Sequence, residues 1–166
     1  MEELLAPFHP QLVHAPVALI IVAAAFELLG RALDLEWWRK AAFAMLVVGV
    51  LGAGAAVISG GGAGDAAEHQ GVPEQPVDAH EQMAQLTLWL GIAAVVTRAI
   101  AGRTGRVRPL VAGLALILHL TTAVTVGVAA HRGGKLVYEY GAKVKVDGKP
   151  VVTPKPGQKS EPGERD

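Results

Sequence analysis

The chain has 166 residues, 51% of them hydrophobic and 18% charged, with 15 basic against 15 acidic side chains and no cysteine. A soluble domain carries charge on about a quarter of its residues, so this deficit argues against one. Zero net charge removes the case for a nucleic-acid partner, which needs a clustered basic excess; the lack of cysteine excludes disulfides, thiol nucleophiles, zinc–thiolate sites, covalent CxxCH haem attachment and Cys-ligated iron–sulfur clusters.

A helix that crosses a bilayer needs about 20 mostly apolar residues. Four stretches qualify: 10–33, whose one acidic residue is Glu27; 41–59, with no charge; 83–100, charged only near its ends; and 109–130, interrupted by His119 and a few threonines. The second and fourth are apolar all round, which leaves no face for water in a soluble bundle. The sequence therefore predicts an all-α membrane protein, a four-transmembrane-helix bundle over residues 1–142, in contact with lipid. The first stretch does not read as a signal peptide, because Met1-Glu2-Glu3 is not a basic leader and the apolar run is too long. Gly49, Gly52, Ala53 and Ala56 in the second stretch predict close helix packing.

Arg31 at the end of the first span is followed by Arg39 and Lys40, and Arg98 at the end of the third is followed by Arg103, Arg106 and Arg108 before the fourth. The N-terminal stub and residues 60–79 hold no Lys or Arg. The positive-inside rule then places both termini and residues 60–79 outside. Trp37 and Trp38 beside Arg39 fit an interfacial anchor on the inner side.

The run Gly60-Gly61-Gly62-Ala63-Gly64 has no Gly-Lys-Ser/Thr after it and no strand before it, so it is not a phosphate cradle. It reads as a flexible exit from the membrane into a poorly ordered loop carrying Asp65, Glu68, His69, Glu74 and Asp78. Beyond the last span, Lys143–Val146 alternates, Asp147-Gly148 offers a type I′ turn, and Val151-Val152 would return as a strand, a short β-hairpin-like segment outside the membrane. From Pro154 the composition is that of a disordered end, so residues 143–166 are expected to form a polar, partly disordered C-terminal tail.

Six histidines remain: His9, His14, His69, His80, His119 and His131. His14, His80 and His131 come from three spans and fall at one depth near the outer side, so they form the candidate cluster for haem iron or a divalent transition metal. His9 and His14 are five apart and lie on different faces of a helix, so they do not chelate as a pair. Helix rise puts His119 about 18 Å from His131 and Glu27 about 20 Å from His14. Glu27 and His119 are therefore a candidate buried polar pair, and an ionisable group at that depth is a functional-site hypothesis. HExxH is absent, and no Ser/His/Asp set is credible, so the chain reads as an electron carrier or membrane subunit rather than a stand-alone catalyst.

Phe8-His9-Pro10-Gln11-Leu12-Val13-His14-Ala15-Pro16, His80 opening the third span, and His131-Arg132-Gly133-Gly134-Lys135-Leu136-Val137-Tyr138-Glu139-Tyr140-Gly141 together resemble the bacterial membrane-protein family numbered 2231 among domains of unknown function. The likeness covers about residues 5–146. Arg132 stands where that pattern has an apolar residue. The resemblance implies four spans in a bacterial inner membrane. Because family members are sometimes fused to or neighboured by c-type cytochrome domains, it also implies redox work with a partner such as a c-type cytochrome.

Two functions follow as expectations. The first is a b-type haem protein for electron transfer, with His14 and His80 as axial ligands, His131 in reserve, His119 serving a second, deeper haem and Arg132 meeting a propionate. The second is a non-redox module: a metal- or proton-linked transport subunit using Glu27 and His119, or an assembly or scaffold protein. A homodimer would supply the symmetry that transport needs and that the chain, without an inverted repeat, lacks.

Overall fold

The four apolar stretches fold as helices that overrun the lengths a bilayer requires. A computed structural model of the chain describes residues 2–101 and 108–151. Helix α1 (Glu2–Leu5), a 3-10 turn (Ala6–Phe8) and α2 (His9–Leu12) lead into α3 (His14–Ala32). Then come α4 (Glu36–His69), α5 (Glu74–Ala101) and α6 (Arg108–Tyr138), followed by the two-residue strands β1 (Lys145–Val146) and β2 (Lys149–Pro150). Helix α4 alone has 34 residues, a length of about 51 Å. Four helical segments, starting at Ala6, Glu36, Glu74 and Arg108, are long and apolar enough to cross a membrane. Large apolar side chains stay exposed along them, including Leu51, Trp89, Ile117 and Val124. Such faces suit lipid as solvent, and the chain is an integral membrane protein.

The backbone break at Val13 has a local cause. Pro16 cannot donate the bond that Leu12's carbonyl would accept in a continuous helix, while the Val13 N–H still reaches His9 O and the Val17 N–H reaches Val13 O.

Residues 60–79 depart from the expected loose loop. The glycine run is helical, α4 continues to His69, and only residues 70–73 separate it from α5. A glycine in a helix costs about 1 kcal/mol against alanine. Here tertiary packing offsets that cost: Ser59, Ala63 and Ala67 are buried, and a Cβ at Gly64 would stand 3.0 Å from Val77 and 2.6 Å from the Glu81 carboxylate. Helix α4 then closes in a Schellman turn. Gly71 takes φ 98°, its N–H donates to Glu68 O at 2.8 Å, and the Val72 N–H donates to Ala67 O at 3.1 Å. Helix α6 ends the same way at Gly141, φ 69°, with the Ala142 N–H donating to Leu136 O at 2.9 Å. The two turns meet: Ala67, Val72, Val77 and Ala142 form one buried cluster with Leu136 and Tyr140 against it.

That cluster caps the terminal pole of the bundle, where the start of α3, the end of α4, the start of α5 and the end of α6 converge. The middle is a second cluster of Ala23, Leu46, Val50 and Ala94 with Leu118 against it, so all four long helices contribute. Small residues set the spacing there. A Cβ at Gly49 would stand 2.8 Å from Ile20 Cγ1, and one at Gly91 2.7 Å from Val50 Cγ2.

The expected hairpin is present. β1 pairs antiparallel with β2 in the register Lys145↔Pro150 and Val146↔Lys149, around Asp147 and Gly148 at φ 51° and 77°, the signs a type I′ turn demands. Its return strand starts two residues earlier than Val151. Val152 and the tail from Pro154, like Arg103 and Arg106 between α5 and α6, lie outside the described residues.

Candidate functional site

His80 opens onto α6 at the terminal pole. Its Nδ1 lies 3.0 Å from Ala129 O. A carbonyl only accepts, so Nδ1 carries the proton and the Nε2 lone pair of the neutral ring is left free. His9 reaches the same state through α4. Its Nδ1 lies 2.9 Å from Ser59 Oγ, and the Ser59 hydroxyl already donates to Ala56 O at 3.0 Å. The serine oxygen therefore accepts from His9 Nδ1. Each imidazole is thus fixed in ring orientation and tautomer by an outer partner, the arrangement that prepares histidine as a metal ligand.

The two rings are neighbours, with centroids 6.4 Å apart and planes at 82°. Glycine makes room for each. A Cβ at Gly60 would stand 3.3 Å from His9 Cε1, and one at Gly133 would stand 3.0 Å from His80 Cε1. Two cations close the surroundings. Arg132 donates to Ala79 O at 2.6 Å, which ties α6 to the residue before His80. Lys143 donates through Nζ to Ala6 O at 2.8 Å, and the Lys143 N–H donates to Gln70 Oε1 at 3.2 Å. These bonds hold the segment after α6 over the N-terminal turns.

The other histidines stand apart from this pair. His14 and His131 are exposed on the bundle, as is His69 in the last turn of α4. Among the described residues no three of His, Asp or Glu come together as a metal ion would need, so His14, His80 and His131 are not gathered into one cluster. The partner His80 does have, His9, was missing from the sequence-derived set. Its five-residue offset from His14 signals that only one of the two faces inward, without showing which.

A second polar group lies near the opposite pole. Glu27 is fully buried and accepts from Arg31 Nε at 2.7 Å and from Arg98 Nη1 on α5. Arg98 also donates to Arg39 O at 2.9 Å. The direct partners of Glu27 are thus two arginines, while His119, 2% exposed on α6, lies within reach of the Glu27, Arg98 and Arg31 charges.

No curated protein and no solved structure matches the chain. A family model described as "predicted membrane protein (DUF2231)" matches residues 5–146. That range takes in His9, Ser59, His80, the Ala129–Gly133 turn and Lys143, every residue of the terminal-pole site, and this four-helix membrane protein belongs to the DUF2231 family.

Proposed function

We propose that the protein carries electrons through a b-type haem held by His9 and His80, at a terminal pole that faces the periplasm or cell exterior of a bacterial inner membrane. One observation carries the reading: two imidazoles from different helices, each donating from Nδ1 to an oxygen acceptor, have ring centroids 6.4 Å apart. Four-helix bundles hold haem between facing histidines in this way. Haem bound there would supply a one-electron couple. The chain's own residues orient the ligands, through Ser59 and the Ala129 carbonyl, and keep the ring edges clear, through Gly60 and Gly133. A basic redox partner such as a c-type cytochrome would meet the acidic rim of Asp65, Glu74 and Asp78, which is exposed at the same pole.

An absorption spectrum of the purified, detergent-solubilised chain tests the reading. A reducible Soret and α band is expected, lost in His9→Ala and in His80→Ala and kept in His14→Ala and His131→Ala. Colourless protein from haem-replete cells overturns it. Bound copper or zinc in that colourless protein would move the same histidine pair to the metal-linked alternative.

A further inference from the structure

The two helical hairpins, α3–α4 and α5–α6, repeat one packing pattern. A shift of 71 positions carries Ala6 onto Val77, His9 onto His80, Ile20 onto Gly91, Ala23 onto Ala94 and Glu27 onto Arg98. A shift of 73 carries Gly49 onto Thr122, Ala53 onto Val126, Gly60 onto Gly133 and Gln70 onto Lys143. The contacts repeat with the positions. A Cβ at Gly49 would meet Ile20, and one at Gly91 would meet Thr122; Gly60 faces His9 Cε1 as Gly133 faces His80 Cε1. Equivalent residues meet one another only near the two-fold axis that relates them. Two such pairs do: His9 with His80, and Glu27 with Arg98.

The repeat shows how the four helices close into a ring at the terminal pole. On one side residues 70–73 join α4 to α5 covalently. On the other side the end of α6 meets the N-terminal turns with no chain between them. Lys143 stands there in the place of Gln70, and Ala6 in the place of Val77. Lys143 Nζ donates to Ala6 O at 2.8 Å, while the Lys143 N–H donates to Gln70 Oε1 at 3.2 Å. One residue thus ties the unlinked side of the ring to the linked side.

Lys143 is built for that position. Its backbone is left-handed, φ 60°, which a residue with a Cβ rarely adopts unless its surroundings fix it. Ala142 beside it is buried with Ala67, Val72 and Val77. Its ammonium is directed at a neutral carbonyl, whereas Arg31, Arg39, Lys40, Arg98 and Lys135 each meet a carboxylate. His9 follows Ala6 by three residues, so the unlinked seam borders the histidine pair. His80 is anchored to Ala129 O within its own hairpin.

We propose that the terminal pole opens at the seam between Lys143 and Ala6, with residues 141–143 as a clasp that controls access to His9 and His80. When the clasp releases, the N-terminal turns carry His9 away from His80; when it closes, the two rings return to their spacing. The identity of the ligand so admitted rests on the haem reading above, and the clasp does not.

Spin-label distance measurements on the full-length protein in detergent test this. One pair of labels, Leu4→Cys with Glu139→Cys, spans the seam from exposed positions. A second pair, Lys40→Cys with Leu110→Cys, is exposed at the other pole. A dominant short distance is expected across the seam, with a longer component that rises several-fold in Lys143→Met and returns to its original share in Lys143→Arg. The pair at the other pole is expected to read the same in all three, which also shows that the variants are folded. A seam distribution unchanged in Lys143→Met overturns the proposal. So does a broadening of both pairs together, which is loosening of the whole bundle. Colourless protein overturns the haem reading and leaves this measurement as it stands.

Discussion

Gly133 lies so close to His80 that a Cβ on it would stand 3.0 Å from the ring's Cε1, whereas a Cβ on Gly134 would meet nothing within 4 Å. His80 cannot retreat without giving up its bond to Ala129 O. Gly134→Ala is expected to stabilise α6 by up to about 1 kcal/mol through helix propensity. Gly133→Ala forfeits that gain, and Gly133→Val costs about 1–3 kcal/mol by overpacking. Circular-dichroism melts of the three variants check the order. Equal behaviour at 133 and 134 would mean that the ring does not sit there.

Glu27→Ala leaves two guanidinium groups without their shared anion. Removing one partner of a buried ion pair costs about 3–5 kcal/mol, and loss of helix in mixed detergent–SDS titrations measures it. Arg31→Gln is expected to cost less, because the Arg31 side chain is 34% exposed and the Arg98 side chain 20%. The opposite order would place the main tie on Arg31 rather than across the bundle.

Lys143 lies beyond the last span, and burial pulls its ammonium below the ordinary lysine range. The folded chain therefore releases this proton at lower pH than the unfolded chain does. Between the folded value and the ordinary value of about 10.4 the unfolded state holds more protons, so stability rises with pH in that window. Melting temperatures of wild type minus Lys143→Met are expected to be flat below the window and to climb through it. A difference that falls there contradicts the buried contact with Ala6 O.

Orientation can be read by labelling this cysteine-free chain. Gly64 is a poor position, since a Cβ there meets the Glu81 carboxylate at 2.6 Å. His69 is exposed at the end of α4, and the Lys40 side chain is 75% exposed at the other pole. His69→Cys is expected to react with an impermeant thiol reagent on intact cells and Lys40→Cys only after lysis. The reverse pattern turns the protein over and puts the histidine pair in the cytoplasm.

Length was sufficient for four membrane helices, with all-round apolarity in the second and fourth, because a soluble bundle of only four helices has no core large enough to bury a helix with no polar face. Asp147-Gly148 was sufficient for the hairpin, because few other residue pairs accept two positive φ values in succession. Residues 60–79 misled for an equally local reason. Four glycines in five positions read as a break, and only the contacts of α4 with α5 and with the N-terminal turns show what holds them helical. Gly71 was the available signal of a helix end there, as Gly141 was for α6.

The histidine site divides along the same line. The residues alone determined that several imidazoles reach the terminal pole, because helix rise converts residue number into depth. They did not determine which imidazoles face one another. A helix that is apolar on every side carries no amphipathic signal for its rotation about its own axis. That rotation is set where a glycine lets a neighbouring side chain close on the helix backbone, at Gly49 against Ile20 and Gly91 against Val50. In the fold so packed, His9 and His80 are ring neighbours, and His14 and His131 are on the outside.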